Sequence, residues 1–237
     1  MNKAFSKEVQ LIGEEAFKKL NDSHVAVFGL GGVGSYVVEG LVRGGVLNIT
    51  LIDCDVYSES NINRQLYATQ STIGKKKVEV AKNRILDINP NCKVNVIDKF
   101  ILKDTINEID FTKFTYVVDA IDTISGKLEI IKKCNELGVK VISSMGTGNK
   151  LNPLAFKVAD IKQTKVCPLC KVMRKLLKDN GINCLKVVYS EEEPKAPIDL
   201  GSAEKKGNGV ASSSISFVPS VAGLIIAGEV LKDIINL

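Results

Sequence analysis

A glycine-rich segment near the start of the chain constrains the fold more than any other feature. An apolar run begins at Val25, and Gly29, Gly31, Gly32 and Gly34 lead from it into a helical pattern. This order predicts a β-strand, a tight turn and a helix N-terminus, whose free N–H groups and dipole bind phosphate oxygens. Glycines let the backbone approach an anion closely, because no Cβ stands in the way. The segment therefore predicts a nucleotide site, without indicating how the nucleotide is used.

Strand and helix patterns alternate after this segment, through the first 150 residues. Such alternation predicts a doubly wound, Rossmann-like α/β fold with a mostly parallel sheet and helices on both faces. Before the first strand, Phe5–Leu20 has the periodicity of one amphipathic helix. The predicted strands are Val25–Leu30, Asn48–Asp53, Lys93–Ile97, Thr115–Asp119 and Val139–Met145, and the helices between them are Gly32–Arg43, Gly74–Ile88 and Lys127–Leu137.

The second part of the chain is less regular. We expect one domain over residues 1–237, in which 1–150 form a nucleotide-binding core and 151–237 a C-terminal extension. Residues 190–214 are polar and contain prolines and glycines, which is typical of a mobile loop. The extension also contains predicted strands at Leu154–Ile161 and Leu185–Tyr189 and a predicted helix at Pro168–Lys178.

Composition favours a cytoplasmic protein without membrane contact. The 237 residues are 45% hydrophobic and 25% charged, which is enough apolar material for a packed core. The net charge of +5 permits binding to a polyanion without requiring it. The chain opens with polar residues, and the apolar run Ile215–Gly228 is too short to span a bilayer, so we expect a buried terminal helix there.

Polar residues beyond the glycine segment separate two classes of nucleotide-binding protein. Asp53 follows the second strand, where an acid binds ribose hydroxyls, and this alone fits a nicotinamide-dependent dehydrogenase equally well. Hydride transfer needs no fixed cation in the next loop, whereas cleavage of the α–β phosphate link does. Arg64 can form two charge-assisted hydrogen bonds to phosphate, and Lys77 adds a second cation. Asp122, after the fourth strand, is a hard oxygen ligand suited to Mg²⁺.

These residues predict an ATP site in which negative charge is neutralised as pyrophosphate departs. We expect Arg64, Lys77 and Asp122 to be catalytic and Asp122 to be the metal ligand. The alternative from spacing alone is that Arg64 and Lys77 are ordinary surface cations.

Five motifs together resemble the superfamily of ubiquitin-activating-like adenylyltransferases of the ThiF, MoeB and HesA type. One departure is Lys7, which stands where the superfamily places an Arg that reaches ATP. Lys keeps the charge but loses the planar fork. The five motifs are Gly29-x-Gly31-Gly32-x-Gly34, Asp53-x-Asp55, Asn61-x-Asn63-Arg64-Gln65, Gly74-x-x-Lys77 and Asp119-x-x-Asp122.

Within this superfamily, the chain is similar to the dehydratases that act on threonylcarbamoyladenosine in tRNA. The likeness extends over almost the whole chain. It is carried by Phe5-Ser6-Lys7, Leu11-Ile12-Gly13, Asn63-Arg64-Gln65, Ile142-Ser143-Ser144-Met145-Gly146, Val187-Val188-Tyr189-Ser190 and Phe217-Val218-Pro219-Ser220-Val221-Ala222-Gly223.

The resemblance implies an ATP-dependent ring closure on the modified adenosine beside the tRNA anticodon, through an acyl-adenylate. It implies ATP and Mg²⁺ as cofactors, tRNA as substrate and a homodimer. A monovalent cation near the site and a cysteine desulfurase or sulfur-carrier system as partner are left open. Adenylation of the C-terminal glycine of a ubiquitin-like sulfur carrier stays an alternative. The nucleotide-binding residues implied are Gly29, Gly31, Gly32, Gly34, Asp53, Asp55, Asn61, Arg64, Gln65, Lys77 and Asp122.

The cysteines argue against a structural zinc site. Sulfur-carrier relatives bind zinc with two C-x-x-C pairs, whereas this chain has one, Cys167 and Cys170. Cys184 raises the candidate ligands to three, and a tetrahedral site needs four. We expect reduced thiols. A metal shared across a dimer, a redox-sensitive disulfide and a thioester nucleophile at Cys184 are the alternatives.

Basic residues form three clusters that are candidate contacts for tRNA phosphates. The middle cluster has the i, i+3, i+4 and i+7 spacing that puts side chains on one helix face. Such contacts would bind phosphates without reading sequence, and the alternative is a solvated helix face. The clusters are Lys75–Lys77, then Lys171, Arg174, Lys175 and Lys178, then Lys205–Lys206.

Overall fold

The structure is a computed structural model that describes residues 3–196, 198, 205–206, 209–210 and 213–237. Its main sheet contains β1 (His24–Phe28), β2 (Asn48–Ile52), β3 (Lys93–Ile97), β4 (Tyr116–Asp119), β5 (Lys140–Ser144), β6 (Phe156–Asp160) and β7 (Lys186–Ser190). The strand order is β3-β2-β1-β4-β5-β7-β6, and every pairing is parallel except that of β6 with β7. The predicted doubly wound, mostly parallel sheet is confirmed.

Helices cover both faces of this sheet. Val25 and Val27 of β1 contribute to one buried cluster, while Ala26 and Phe28 contribute to another on the opposite face. A strand covered on both faces needs a continuous apolar run, which is what β1 contains. The helices are α1 (Ser6–Ile12), α2 (Glu14–Asp22), α3 (Gly34–Arg43), α4 (Lys77–Ile88), α5 (Ile124–Leu137), α6 (Pro168–Asp179) and α7 (Phe217–Ile235).

The C-terminal helix α7 packs tightly on α3 and thereby supports the glycine segment. A Cβ added at Gly40 of α3 would lie 2.7 Å from the Cβ of Ala227, so the two helices approach at small residues. At its N-terminus, α7 places Pro219 so close that a Cβ at Gly32 would lie 3.2 Å from it. The predicted buried terminal helix is confirmed. No helix among the described residues has the length and apolarity needed to cross a membrane.

One local prediction is wrong, and another lies partly outside the described residues. The single helix predicted over Phe5–Leu20 is wrong, because the chain breaks at Gly13 into α1 and α2. Gly13 has a φ of +85°, a left-handed value that ends one helix and redirects the next. The predicted mobile loop at 190–214 lies partly outside the described residues, so its mobility stays a prediction.

Candidate active site

The residues predicted to bind a nucleotide meet in one cleft of about 660 Å³ at the carboxyl ends of β1, β4 and β5. The strand order reverses between β1 and β4, which is where doubly wound sheets bind their ligands. All the predicted binding residues except Gly34 line this cleft: Gly29, Gly31, Gly32, Asp53, Asp55, Asn61, Arg64, Gln65, Lys77 and Asp122.

The need for glycine has a different structural cause at each position of the turn. Gly29 has a φ of +88°, and a Cβ there would lie 2.8 Å from the carbonyl oxygen of Ala120. A Cβ at Gly34 would lie 1.8 Å from the carbonyl oxygen of Gly29, so the turn itself requires that glycine. A Cβ at Gly31 would make only an ordinary contact, 3.9 Å from the Gln65 amide nitrogen. The protein's own atoms therefore fix Gly29 and Gly34, whereas Gly31 faces open space in the cleft.

Asp53 is held by the glycine turn beside it. Its Oδ2 accepts a hydrogen bond from the backbone N–H of Leu30 at 2.7 Å, and its Oδ1 accepts one from the N–H of Asp55 at 2.8 Å. An ionised carboxylate has about four lone-pair sites, so two remain for a ligand. Asp53 is half-buried at the cleft wall. Its placement suits hydrogen bonding to hydroxyl groups.

The loop after β2 orders Arg64 before any ligand arrives. Asn61 Oδ1 accepts from the backbone N–H of Ser58 at 3.1 Å in a capping box, which fixes the turn. One guanidinium nitrogen of Arg64 donates to the Ser60 carbonyl at 2.6 Å and to Asn63 Oδ1 at 2.9 Å. The guanidinium has five N–H donors, so Arg64 can bind an anion without releasing the loop.

Gln65 and Lys77 are buried polar side chains in the cleft wall. Gln65 is 7% exposed, and its Oε1 has no hydrogen-bond partner among the described residues. An unpartnered buried oxygen costs about 1–3 kcal/mol, so this atom indicates a missing donor. The Lys77 side chain is 6% exposed and its Nζ donates to Asp55 Oδ2 at 2.8 Å. An ammonium has three donors, so Lys77 can keep this contact and bind a second group.

A buried ion pair that the sequence reasoning missed lies at the floor of the cleft. Lys127 Nζ donates to Asp119 Oδ2 at 2.9 Å, to Ser143 Oγ at 3.3 Å and to the Ser144 carbonyl at 2.8 Å. The Lys127 and Asp119 side chains are 1% and 0% exposed. Lys127 lines the cleft and joins the ends of β4 and β5 to α5. The sequence contains one signal for this ion pair, a lysine in the first turn of the helix that follows the Asp119-x-x-Asp122 motif.

Asp122 lies exposed at the rim of the cleft, three residues beyond the end of β4. Thr123 Oγ1 is 3.5 Å from its Oδ1. The described part of the chain contains no group of three or more His, Cys, Asp or Glu side chains placed to hold a metal ion. A cation at Asp122 would therefore need oxygen ligands from a nucleotide as well, which is how Mg²⁺ is usually bound beside phosphates.

Of the cysteines, Cys54 lines the cleft between Asp53 and Asp55. Cys167 and Cys170 are buried at the start of α6, and Cys184 is exposed in a separate loop. Burial and then the charges of Asp55 and Asp53 raise the pKa of Cys54.

The basic helix face is partly as predicted. Lys171, Lys175 and Lys178 of α6 are exposed and form no ion pair within the described residues. Arg174 departs from the prediction: it is half-buried, because its guanidinium donates to the Thr164 carbonyl at 2.7 Å. Lys77 likewise points into the cleft rather than to solvent. The side chains of Lys205 and Lys206 lie outside the described part of the structure.

A doubly wound parallel sheet with a glycine turn and an acid at its switch point defines a nucleotide-binding α/β protein. The sequence profile of the ThiF family matches residues 5–237, and the chain therefore belongs to the ThiF family.

Relatives in sequence and structure make this membership more specific. The chain is 40% identical to the tRNA threonylcarbamoyladenosine dehydratase of Bacillus subtilis (strain 168) over 240 residues, which covers 98% of this chain and 94% of the relative. It is 36% identical to the enzyme of that name from Escherichia coli (strain K12) over 176 residues, covering 74% and 66%. The solved E. coli dehydratase TcdA in complex with ATP superposes with a TM-score of 0.89 at 31% identity, covering 99% of this chain and 94% of that one.

Proposed function

We propose that this protein is an ATP-dependent tRNA threonylcarbamoyladenosine dehydratase. The observation that carries the proposal is one cleft in which the acid Asp53, the cations Arg64 and Lys77 and the rim carboxylate of Asp122 surround an open glycine turn. The 40% identity to the Bacillus subtilis enzyme over nearly the full length supports it. That relative's name supplies the substrate, the threonylcarbamoyl group on a tRNA adenosine.

The proposed reaction has two steps. The threonine carboxylate attacks the α-phosphate of ATP, which gives an acyl-adenylate and pyrophosphate. The carbamoyl nitrogen then attacks the activated carbonyl, loses its proton and releases AMP, which closes a hydantoin ring. The nucleoside loses one water overall. Because the second step is intramolecular, positioning supplies much of its rate and no enzyme nucleophile is needed.

Each cleft residue has a proposed role in this reaction. Asp53 accepts hydrogen bonds from ribose hydroxyls, and the open face of Gly31 lets phosphate approach the helix N-terminus. Arg64 and Lys77 neutralise the phosphates as pyrophosphate leaves. Asp122 would hold the Mg²⁺ that accompanies ATP, and the ion would supply charge neutralisation on the phosphate oxygens. The remaining proposed contacts to the nucleotide are Gly29, Gly32, Gly34, Asp55, Asn61 and Gln65.

Mass spectrometry of tRNA nucleosides tests the proposal. Protein, ATP and Mg²⁺ added to tRNA that bears threonylcarbamoyladenosine should remove one water from that nucleoside and form AMP. Arg64→Ala and Asp122→Ala should each lower kcat/KM by about 10²–10³, or roughly 3–4 kcal/mol, as for loss of one oxyanion donor. Lys93→Ala, an exposed change at the far end of β3, is the matched control.

Two outcomes would contradict this reading. Near wild-type turnover in both cleft variants would refute the assignment of the site. An unchanged nucleoside, with ATP–pyrophosphate exchange stimulated by a small carrier protein, would favour adenylation of a sulfur carrier instead.

The partners belong to the same proposal. We infer that tRNA phosphates contact the exposed lysines of α6, because Leu169 in the first turn of that helix lines the cleft. We infer a homodimer, and the exposed apolar side chains of Leu11 and Leu154 fit burial in an interface. A monovalent cation, a sulfur-transfer partner, a cytoplasmic location and a single domain over 1–237 stay predictions.

A further inference from the structure

A pair of thiols that the proposed reaction does not use lies at the N-terminus of α6. Cys167 immediately precedes the helix and Cys170 is its third residue, so both side chains lie at the same end. Both are buried, and both are free thiols in the structure. The C-x-x-C spacing at a helix start is typical of dithiols that are oxidised and reduced reversibly.

The surroundings of Cys167 favour its thiolate. The neighbouring Cys170 thiol lowers the pKa of Cys167 most, and burial opposes this shift. The backbone N–H groups of Cys170, Gly146 and Leu169 also face the sulfur. Cys167 makes no side-chain capping hydrogen bond to α6. The pKa of Cys170 is raised, by its contact with Cys167 and by burial.

A strained turn sets the position of Cys167. Val166 has a φ of +62°, and the backbone N–H of Cys167 donates to the Lys165 carbonyl at 2.6 Å across it. This is the geometry of a γ-turn, which is strained for any residue and most of all for a β-branched one. Val166 is half-exposed, so core packing of its side chain does not account for the strain. Such outliers occur where surrounding structure holds a functional group in place.

The other cysteines lack these features. Cys54 is half-buried beside two carboxylates, which together with burial raise its pKa. Cys92 and Cys134 are buried in the core, and burial raises the pKa of both. Cys184 is exposed but lies in a loop, away from any helix start. Cys184 is therefore the matched comparison: it is the more accessible thiol, but it has no partner thiol among the described residues.

We propose that Cys167 and Cys170 form a reversible redox site that hydrogen peroxide converts to an intramolecular disulfide. The Cys167 thiolate attacks one peroxide oxygen, the O–O bond breaks, and the departing hydroxide takes up a proton to become water. The Cys170 thiol then gives up its proton, and its sulfur displaces hydroxide from the sulfenic acid at Cys167. Two thiols and one peroxide thus become one disulfide and two waters, with two electrons passing from sulfur to oxygen.

The burial of the pair determines which oxidant reacts. Peroxide is about the size of two waters, whereas a bulky disulfide reagent has little access to the nearly buried Cys167. Gly146 and Leu169, whose amides face the Cys167 sulfur, also line the nucleotide cleft. Oxidation therefore changes a group directly behind the cleft wall, although the chemistry at sulfur does not depend on the function proposed above.

The test is oxidation of the purified full-length protein with one equivalent of peroxide, alkylation under denaturing conditions and peptide mass spectrometry. The expected product has lost two hydrogens, links Cys167 to Cys170 and returns to two alkylated thiols after treatment with dithiothreitol. Cys170→Ser should trap the sulfenic acid at Cys167 as a dimedone adduct, and Cys184→Ser should form the disulfide as the wild type does.

Two results would overturn the proposal. One is oxidation of Cys184 or Cys54 while Cys167 and Cys170 are recovered as thiols. The other is stoichiometric zinc in the purified protein that is lost in Cys167→Ser, which would make the pair a metal ligand set. The wild-type measurement decides the question even if a variant fails to fold.

Discussion

Lys127 and Asp119 stabilise the floor of the cleft only as a pair. Both side chains are essentially without solvent contact, and Lys127 uses all three of its N–H donors. Removing one partner of a buried ion pair leaves an uncompensated charge and costs about 3–5 kcal/mol. We therefore expect Lys127→Met to lower the free energy of unfolding by about that amount, measured by urea denaturation at pH 7.

Lys76 offers a matched control for this prediction. It pairs with Asp98 at 3.1 Å, but the two side chains are 46% and 47% exposed. Exposed pairs contribute roughly 0–1 kcal/mol, so Lys76→Met should have little effect. If the free energies of unfolding of the two variants differed by less than about 1 kcal/mol, the buried pair would stabilise the protein no more than an exposed pair does.

Where a motif fixed their spacing, residues predicted to form one site lie in one cleft, while their roles stay predictions. Asp53, Arg64, Lys77 and Asp122 all line one cleft, because each follows a strand or begins a helix at the same edge of the sheet. Lys127 could not be found in this way. Its role depends on burial between β4, β5 and α5, and a lysine at a helix start is more often exposed.

For helices and strands, the sequence predicts where most of them lie along the chain but not which of them are neighbours in the sheet. Hydrophobic periodicity located the strands to within about two residues, because the central strands β1, β2 and β4 are buried apolar runs and the edge strand β3 alternates exposed with partly buried residues. It missed the break at Gly13, where backbone conformation and not apolar spacing decides. It also could not place β7, which lies between β5 and β6 rather than at the edge. An apolar run shows that a strand is buried but not which strands are its neighbours.

Helix α6 is the element whose charge we expect to matter for tRNA. Lys171, Lys175 and Lys178 lie exposed and without ion pairs in the described structure. If each contacts a phosphate, replacing all three by Gln should raise KM for tRNA and reduce the slope of log K against log salt by up to about 3. ATP affinity should stay unchanged, since none of the three lines the cleft.

A triple variant with the same change of charge is the control for α6. Lys82, Lys93 and Lys103 are likewise unpaired within the described residues, and they lie on other elements, in α4, in β3 and in the loop after β3. Their replacement by Gln should leave the salt slope nearer the wild-type value. Equal slopes for the two triple variants would mean that net charge, and not the α6 surface, governs tRNA binding.

At the scale of the whole molecule, α7 is joined to the sheet by one charged cluster. Asp233 Oδ2 accepts from the Tyr116 hydroxyl at 2.7 Å and from Lys186 Nζ at 2.9 Å. Lys186 Nζ also lies 2.7 Å from Glu229 Oε2. The cluster connects β4 and β7 to the last helix, and that helix in turn holds Pro219 against the glycine turn. Protonation of these acids therefore weakens the attachment of an element that supports the cleft.

The direction in which stability depends on pH follows from the pKa values of Asp233 and Glu229. Burial disfavours the ionised form of Asp233, but hydrogen bonds from Tyr116 and Lys186 outweigh it, so its pKa lies below the ordinary value. Burial likewise opposes ionisation of Glu229, and its bonds from Lys186 and Lys232 hold its pKa low. The folded pKa values lie below the unfolded ones of about 3.9 and 4.3. The stabilisation is therefore present above pH ~4 and is lost as the pH falls through the folded values.

Asp233→Asn tests this linkage, because it removes the charge while keeping most of the side-chain volume. We expect the variant to be less stable than the wild type at pH 7 and the difference to shrink as the pH falls from about 5 toward 3. Urea denaturation at constant ionic strength across this range measures it. Asp179→Asn, at the exposed end of α6, should give a small difference that hardly changes with pH. If the free energy of unfolding of Asp233→Asn stayed below the wild-type value by the same amount down to pH ~3, the lost interaction would be packing or hydrogen bonding. An interaction of the ionised carboxylate would weaken, because the carboxylate titrates in this window.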